Sequence, residues 1–254
     1  MFRKKKTLAL ALGSGGAKGM AHVGALQALE ECGVHFSAVA GTSIGSIVGA
    51  FYAKGYSPRD ISELLRRLDY KSMAISVLTA GSNLSVRNLI DSMLDESCFS
   101  DLTLPFAAVA TEISNGEEKV FRSGRIADAV LASSAMPPFF KGVEIDGKMY
   151  MDGAFVNAVP ADVARTLGGD FVIGISLSPA KSYERTEFVL RNGEKKVCMQ
   201  KGVHNCDFLL EPDLSAYGAT DVFSAPVMYD IGYECAMRHA DEILGALRAN
   251  AVRF

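Results

Sequence analysis

The chain has 254 residues, of which 49% are hydrophobic and 22% are charged, and its formal net charge is −3. This length and apolar content are sufficient for one large domain with a substantial core. A nucleic-acid-binding protein would show a strong basic excess, which this composition excludes. The five cysteines include no Cys-x-x-Cys pair. That usage is typical of reduced thiols in a cytoplasmic protein, and it indicates neither a disulfide framework nor a zinc site.

A basic run at residues 3–6 precedes the first apolar segment. It is interpreted either as a solvated tail or as a segment that contacts an anionic membrane surface. The apolar run at residues 8–12 is too short for a secretory signal, and no run approaches the ~18 apolar residues of a spanning helix. We therefore expect any membrane contact to be peripheral, at the inner membrane face.

The first third of the chain alternates between strand and helix patterns. Short apolar runs that end at glycine predict strands, and apolar residues repeating every three or four positions predict helices. The predicted elements are strands at 7–12 and 37–40, and helices at 20–32, 44–54 and 57–68. Strands that alternate with helices in this way are typical of a parallel sheet with crossover helices.

The remainder of the chain continues the pattern less regularly. It predicts strands at 104–113, 119–122 and 171–177, helices at 126–135 and about 227–247, and a hairpin at 143–151 around Asp146-Gly147. Two polar segments, 71–85 and 182–205, are interpreted either as lid-like loops or as ordinary surface excursions. The predicted fold is a three-layer α/β/α domain with a mainly parallel central sheet, formed by residues 1–254 as one unit.

The most informative motif is Gly41-Thr42-Ser43-Ile44-Gly45, which lies between a predicted strand and a predicted helix. Gly-x-Ser-x-Gly at such a turn can expose a nucleophilic hydroxyl at the edge of a sheet, with small residues on both sides relieving the crowding. The amide of Ile44 would then point to the carbonyl oxygen under attack. Taken alone, the same pattern is equally typical of a serine that caps the following helix.

A glycine-rich loop follows the first predicted strand, with glycines at Gly13, Gly15, Gly16 and Gly19 and a cation at Lys18. Glycines let backbone amides converge at a helix start, where they can bind a phosphate or an oxyanion. A dinucleotide site would need an acid at the end of the second strand, and a Walker A loop would need Lys after its last glycine. The sequence has neither the acid nor the Lys at these positions, so the pattern favours an oxyanion site beside Ser43.

Activation of Ser43 requires a base. The four histidines, His22, His35, His204 and His239, occupy no strand end or glycine turn, and His204 is the one retained as a reserve candidate. Asp152 follows a predicted strand and precedes Gly153, a position that suits either a turn former or a catalytic carboxylate.

These three sites together resemble the patatin-like phospholipases. The resemblance extends to the proline-containing block at 132–140, to Asn157 and to Pro160, and it spans residues 7–178. It departs from the family pattern at Ser14, which stands where the family motif has its first glycine. Residues 179–254 lie outside it.

The resemblance implies a serine–aspartate dyad without histidine. Ser43 would be the nucleophile and Asp152 its general base. Gly15, Gly16 and Ile44 would supply amides to the oxyanion hole, and Lys18 takes the place of the family's basic residue. It also implies hydrolysis of phospholipid or other lipid esters, with no metal or cofactor.

Two rival hypotheses remain open. One is a non-catalytic regulatory or scaffold protein that keeps the fold, and the other is a nucleotide-binding protein that uses the glycine loop. Five apolar side chains near the motifs are candidates for an acyl pocket or for plain core: Phe51, Met136, Phe139, Phe140 and Phe155.

Overall fold

The computed structural model describes residues 6–67, 83–190 and 192–254. The basic run at 3–6, apart from Lys6, and most of segment 71–85 lie outside these ranges. Ten strands are present in the described part: β1 (Leu8–Leu12), β2 (Ala38–Thr42), β3 (Phe106–Glu112), β4 (Glu118–Phe121), β5 (Val143–Ile145), β6 (Lys148–Asp152), β7 (Phe171–Ile175), β8 (Arg185–Val189), β9 (Lys195–Met199) and β10 (Phe208–Leu210).

Eight α-helices connect or cover these strands in the described ranges. They are α1 (Met20–Glu31), α2 (Ile44–Lys54), α3 (Pro58–Arg67), α4 (Leu84–Met93), α5 (Ile126–Ser133), α6 (Ala161–Thr166), α7 (Ala225–Arg238) and α8 (Ala240–Ala249). None of the described helices is both long and apolar enough to cross a membrane.

The central sheet is mixed, with parallel strands in its middle. Its order is β10-β7-β1-β2-β3-β6-β5, and β4 also pairs with β3. The pairs β1–β2, β1–β7, β7–β10 and β2–β3 are parallel, whereas β3–β4, β3–β6 and β5–β6 are antiparallel. The predicted α/β class with a mainly parallel sheet is therefore confirmed.

Side chains alternate between two cores on the faces of the sheet. Along β1, Leu8, Leu10 and Leu12 enter the larger core with most of the helices, and Ala9 and Ala11 enter the smaller one. The smaller core is covered by α6 and by the hairpin β8–β9. Alanine on that face allows its cover to pack close to the sheet.

The register around β3 brings two distant parts of the chain together. β2 pairs with one edge of β3 and ends with Thr42 opposite Val109. β4 occupies the other edge of β3, because Ala108 and Val109 pair with both β2 and β4. β6 therefore pairs with the same edge of β3 as β2 does, beginning just past the end of β2, with Asp152 opposite Ala110. The end of β6 thus lies next to the end of β2.

Most predicted elements are present within a few residues of their predicted bounds. In the predicted hairpin, Asp146 and Gly147 have φ values of 52° and 75°, as a two-residue turn between twisted strands requires. The helix α2 ends at Gly55 in the left-handed conformation. Three elements were not predicted. α6 and β10 are short, whereas α4 was missed although it carries an apolar repeat at Val86, Leu89, Ile90 and Met93.

Two predictions differ from the structure. The single helix predicted at about 227–247 is two helices, because the chain turns at His239, whose φ and ψ are −98° and 5°. The apolar repeat continues across this turn, so the sequence pattern gives no sign of the break. Segment 182–205 is neither a loop nor a free excursion, since it contains the antiparallel hairpin β8–β9.

Candidate active site

The turn at Ser43 connects the end of β2 directly to the start of α2. Ser43 has φ 56° and ψ −127°, a conformation that a residue with a side chain rarely adopts. A Cβ atom at Gly45 would lie 2.2 Å from the carbonyl oxygen of Leu12, and one at Gly41 would lie 2.3 Å from the carbonyl oxygen of Gly45. Only glycine fits at either position, so the two flanking glycines allow this tight strand-to-helix turn.

The hydroxyl of Ser43 is hydrogen-bonded to the carboxylate of Asp152. Ser43 Oγ donates to Asp152 Oδ2 at 2.6 Å. The amide of Ala154 donates to the other carboxylate oxygen, Oδ1, at 2.8 Å. Asp152 is fully buried. This burial raises the pKa of its carboxyl group from near 3.8 to about 7, although the two hydrogen bonds counteract the shift in part.

The backbone of Ser43 is held by neighbouring hydroxyl groups. Its amide donates to Ser133 Oγ at 2.9 Å, and Ser133 Oγ in turn donates to the carbonyl of Val109 at 2.6 Å. Its carbonyl accepts a bond from Ser46 Oγ at 2.7 Å. Because both the amide and the carbonyl are bonded, the strained conformation of Ser43 is stabilised by its surroundings.

Similar contacts hold the backbone of Asp152. Its amide donates to the carbonyl of Ala135 at 3.1 Å, and its carbonyl accepts from Thr111 Oγ1 at 2.8 Å. The following Gly153 packs against β3, where an added Cβ would lie 2.2 Å from the carbonyl oxygen of Val109. The carboxylate therefore projects from a rigid strand end.

The glycine loop packs directly on the Ser43 turn. A Cβ at Gly19 would lie 2.2 Å from the side chain of Ile44. Gly16 has φ +59°, and a Cβ there would lie 2.4 Å from the carbonyl oxygen of Ala219. A Cβ at Gly15 would lie 2.7 Å from the side chain of Leu177. The loop is thus packed against the Ser43 turn at Gly19 and against Leu177 and Ala219 at its other glycines.

Several amides of this loop are already hydrogen-bonded. Those of Gly13, Ser14, Ala17 and Lys18 donate to the carbonyls of Ile175, Ala158, Ala219 and Gly15, respectively. The amides of Gly15, Gly16 and Ile44 donate to no acceptor within the described ranges. These three amides, beside the hydroxyl of Ser43, are the donors available to an anion at this edge of the sheet.

None of the four histidines forms a hydrogen bond with Ser43 or Asp152 in the described part of the chain. His22 is buried behind the glycine loop with Nε2 2.8 Å from the carbonyl oxygen of Gly13, and burial lowers its pKa to about 4. The reserve candidate, His204, is exposed. His239 bonds the carbonyl of Cys235.

The acyl-pocket candidates have different environments. Phe51 is only 1% exposed and belongs to the larger core. Phe155 packs on Phe188 of the hairpin, with ring centroids 5.3 Å apart. Phe139 is 45% exposed. Of the two interpretations of these side chains, acyl pocket or plain core, plain core therefore applies to Phe51.

Two polar residues near the site were not singled out by sequence reasoning. Ser133 lies in the block at 132–140 that carried the resemblance, but nothing in the sequence shows that its hydroxyl bonds the amide of Ser43. Gln200, which is 4% exposed, bonds the loop after Asp152 from a segment outside every recognised motif.

Comparison with known proteins identifies the family. The model of the patatin-like phospholipase family matches residues 10–165. The human patatin-like phospholipase domain-containing protein 6 is 36% identical over 186 residues, which are 67% of this chain and 13% of that protein. An uncharacterized NTE family protein of Mycobacterium tuberculosis is 33% identical over 184 residues, 69% of this chain and 50% of that protein. The chain belongs to the patatin-like phospholipase family, and it spans half or less of the length of these relatives.

Solved structures share the fold at low sequence identity. VipD from Legionella pneumophila superposes with a TM-score of 0.58 and 16% identity, over 94% of this chain and 67% of that one. Human GIVD cytosolic phospholipase A2 superposes with a TM-score of 0.55 and 11% identity, over 97% of this chain and 60% of that one. These likenesses support the fold.

Proposed function

We propose that this protein is a serine acyl-ester hydrolase that acts on lipids, in the manner of a phospholipase A or a lysophospholipase. The observation that carries the proposal is the 2.6 Å hydrogen bond from Ser43 Oγ to a fully buried carboxylate, that of Asp152. Family membership and the names of the relatives support lipid esters as the substrate class.

In the proposed reaction, Asp152 takes the proton of Ser43 as Oγ attacks the acyl carbonyl carbon. A carboxyl group with a pKa of about 7 is well matched to this proton transfer near neutral pH. Asp152 then gives the proton to the oxygen of the leaving alcohol, and an ester of Ser43 remains. Water attacks this acyl-serine with Asp152 again as the base, and the fatty acid is released.

The negative charge on the carbonyl oxygen would be stabilised by the amides of Gly15, Gly16 and Ile44. They have no protein acceptor in the described part of the chain, so they are free to donate. Ser43 also lies at the start of α2, whose macrodipole favours negative charge there. The amide of Lys18 is used within the loop, and a role for its side chain stays a prediction.

Ester hydrolysis by the purified protein tests this proposal. We expect release of fatty acid from a panel of phospholipids and acyl esters, and a loss of about 10³-fold or more in kcat in Ser43→Ala and in Asp152→Asn. His204→Ala and His239→Ala are the matched controls and should retain wild-type activity. Wild-type activity in either dyad variant would remove the dyad from the mechanism.

A further inference from the structure

We propose that Gln200 is a positioning residue that connects the hairpin β8–β9 to both halves of the site, the carboxylate of Asp152 and the glycine loop. The inference rests on the proposed function, since it concerns the same serine and aspartate. Gln200 follows the last residue of β9 and lies outside residues 10–165, to which the family model aligns.

The hairpin donates hydrogen bonds to three successive carbonyl groups in the loop after Asp152. Gln200 Nε2 donates to the carbonyl of Ala154 at 2.7 Å. Thr186 Oγ1 donates to the next carbonyl, that of Phe155. Cys198 Sγ donates at 3.7 Å to the third, that of Val156. The hairpin is therefore attached to this loop by three hydrogen bonds.

Gln200 makes a second contact that the other two residues do not make. Its Oε1 accepts a hydrogen bond from the amide of Ala158 at 2.7 Å. The side-chain amide thus binds the loop at two points, Ala154 and Ala158, with its donor on one and its acceptor on the other. No apolar side chain and no shorter amide can bridge these two points.

Each of these two residues, Ala154 and Ala158, is also hydrogen-bonded to a part of the proposed catalytic site. The amide of Ala154 donates to Oδ1 of Asp152 at 2.8 Å, which orients the carboxylate toward Ser43. The carbonyl of Ala158 accepts from the amide of Ser14 at 2.9 Å, immediately before Gly15 in the glycine loop. One buried side chain therefore fixes the relative position of the base and of the oxyanion donors.

The surroundings of Gln200 leave little room for relaxation. Its own amide donates to the carbonyl of Glu184 at 3.2 Å, which anchors it at the base of the hairpin. Two residues later, a Cβ at Gly202 would lie 2.0 Å from Asn157 Oδ1. Because the backbone at Gln200 is anchored to the hairpin and passes this close to the loop at Gly202, losing the side-chain bonds is expected to shift the loop rather than to be absorbed at Gln200.

The test replaces Gln200 with methionine, which keeps the volume and removes both hydrogen bonds. In Gln200→Met we expect kcat for ester hydrolysis to fall about tenfold to a hundredfold while KM changes little, because the substrate contacts remain and the catalytic geometry is loosened. We also expect the acid limb of the pH dependence of kcat to move up by about half a pH unit. The reason is that a less well-aligned Ala154 amide stabilises the ionised carboxylate of Asp152 less.

Arg165→Met is the matched control. Arg165 Nη2 bonds Asp207 and the carbonyl of Asn205, which lie at the opposite edge of the sheet, where β7 and β10 begin. This variant also loses several part-buried or exposed hydrogen bonds, so its melting temperature should fall, but its kcat and the acid limb of its pH profile should stay at wild-type values. Gln200→Glu, which keeps the acceptor for Ala158 and removes the donor for Ala154, replaces Gln200→Met if that variant does not fold.

A second readout separates this inference from the proposed function. The carboxyl group of Asp152 can be titrated by ¹³C NMR, with Asp152→Asn to assign its signal. If the wild-type protein hydrolyses no ester, the proposed function fails, yet an upward move of this titration in Gln200→Met still supports the positioning role. A folded Gln200 variant with an unmoved titration, or with kcat within twofold of wild type, overturns it.

Discussion

The burial of Asp152 determines both the pKa of its carboxyl group and the effect of this residue on the stability of the folded protein. The carboxylate loses the solvation of water, and the hydrogen bonds from Ser43 and Ala154 offset this loss in part, so burial raises its pKa to about 7. We expect kcat/KM for ester hydrolysis to fall about tenfold per pH unit below this value, because a protonated carboxyl group cannot act as the base. A pH–rate profile from pH 5 to 9 measures this. A flat profile across pH 6 to 8 would exclude Asp152 as the base.

The same raised pKa predicts a gain of stability on neutralising the residue. The pKa is higher in the folded protein than in the unfolded chain, so the stability that Asp152 contributes is complete below about pH 4 and is lost as the pH rises through 7. Asp152→Asn should therefore be more stable than wild type by about 2 kcal/mol at pH 8, after allowance for one impaired hydrogen bond. Urea unfolding at pH 8 and pH 4 measures the difference, and the advantage of Asp152→Asn should be lost at the lower pH, where the carboxyl group of the wild type is protonated.

Residue identities at the site differ in how far the sequence predicts them. Ser43 and Asp152 lie in short motifs beside strand ends, so local patterns single them out. Ser133 and Gln200 act on backbone groups that are 90 and 46 residues away along the chain, respectively. Such contacts arise only from tertiary packing, and an isolated serine or glutamine gives no local sign of them.

At the scale of elements, the turn at Ser43 depends on Gly45 more than on any capping interaction. An added methyl group there would overlap the carbonyl oxygen of Leu12 and force α2 away from β1. Gly45→Ala should destabilise the protein by about 2 to 3 kcal/mol. Gly245→Ala is the matched control, since none of the neighbouring atoms in the described ranges lies within 4 Å of the added Cβ in α8, and it should stabilise by about 0.5 to 1 kcal/mol. Equal effects in chemical unfolding would contradict this account.

The elements that the sequence predicted well are those with strong local signals. α1 and α2 carry apolar repeats and end near glycine, and the strands between them are short apolar runs. The hairpin β8–β9 was missed because polar and apolar residues do not separate between its two faces. Its exposed face carries Val189, Val197 and Met199 beside charged residues, and polar Thr186 and Lys196 share the inward face with Phe188 and Cys198. The break at His239 was missed because the apolar repeat continues through it.

At the scale of the whole molecule, the C-terminal part packs into the same core as the motif-bearing part. α7 crosses α1 closely, and a Cβ at Gly232 would lie 2.0 Å from the carbonyl oxygen of Ala21. Met228 of α7 and Leu247 of α8 are fully buried in the larger core. The alternation of strands and helices predicted the parallel centre of the sheet, but not the return of β6 beside β2, which depends on long-range pairing.

This packing predicts that residues 1–254 unfold as one cooperative unit. Gly232→Ala should lower the melting temperature of the entire protein in a single calorimetric transition, with equal calorimetric and van't Hoff enthalpies. Two separate transitions, of which only the one belonging to the C-terminal helices shifts, would show that residues 179–254 form an independent unit.

The most direct test of the central claim is covalent labelling of Ser43 by a fluorophosphonate, located by mass spectrometry of the digested protein. We expect the probe to modify Ser43 in the wild-type protein, the modification to slow about 10³-fold in Asp152→Asn, and none to occur at this position in Ser43→Ala. A folded wild-type protein that is not labelled, or that is labelled at another serine, would contradict the account and favour a non-catalytic role for this fold.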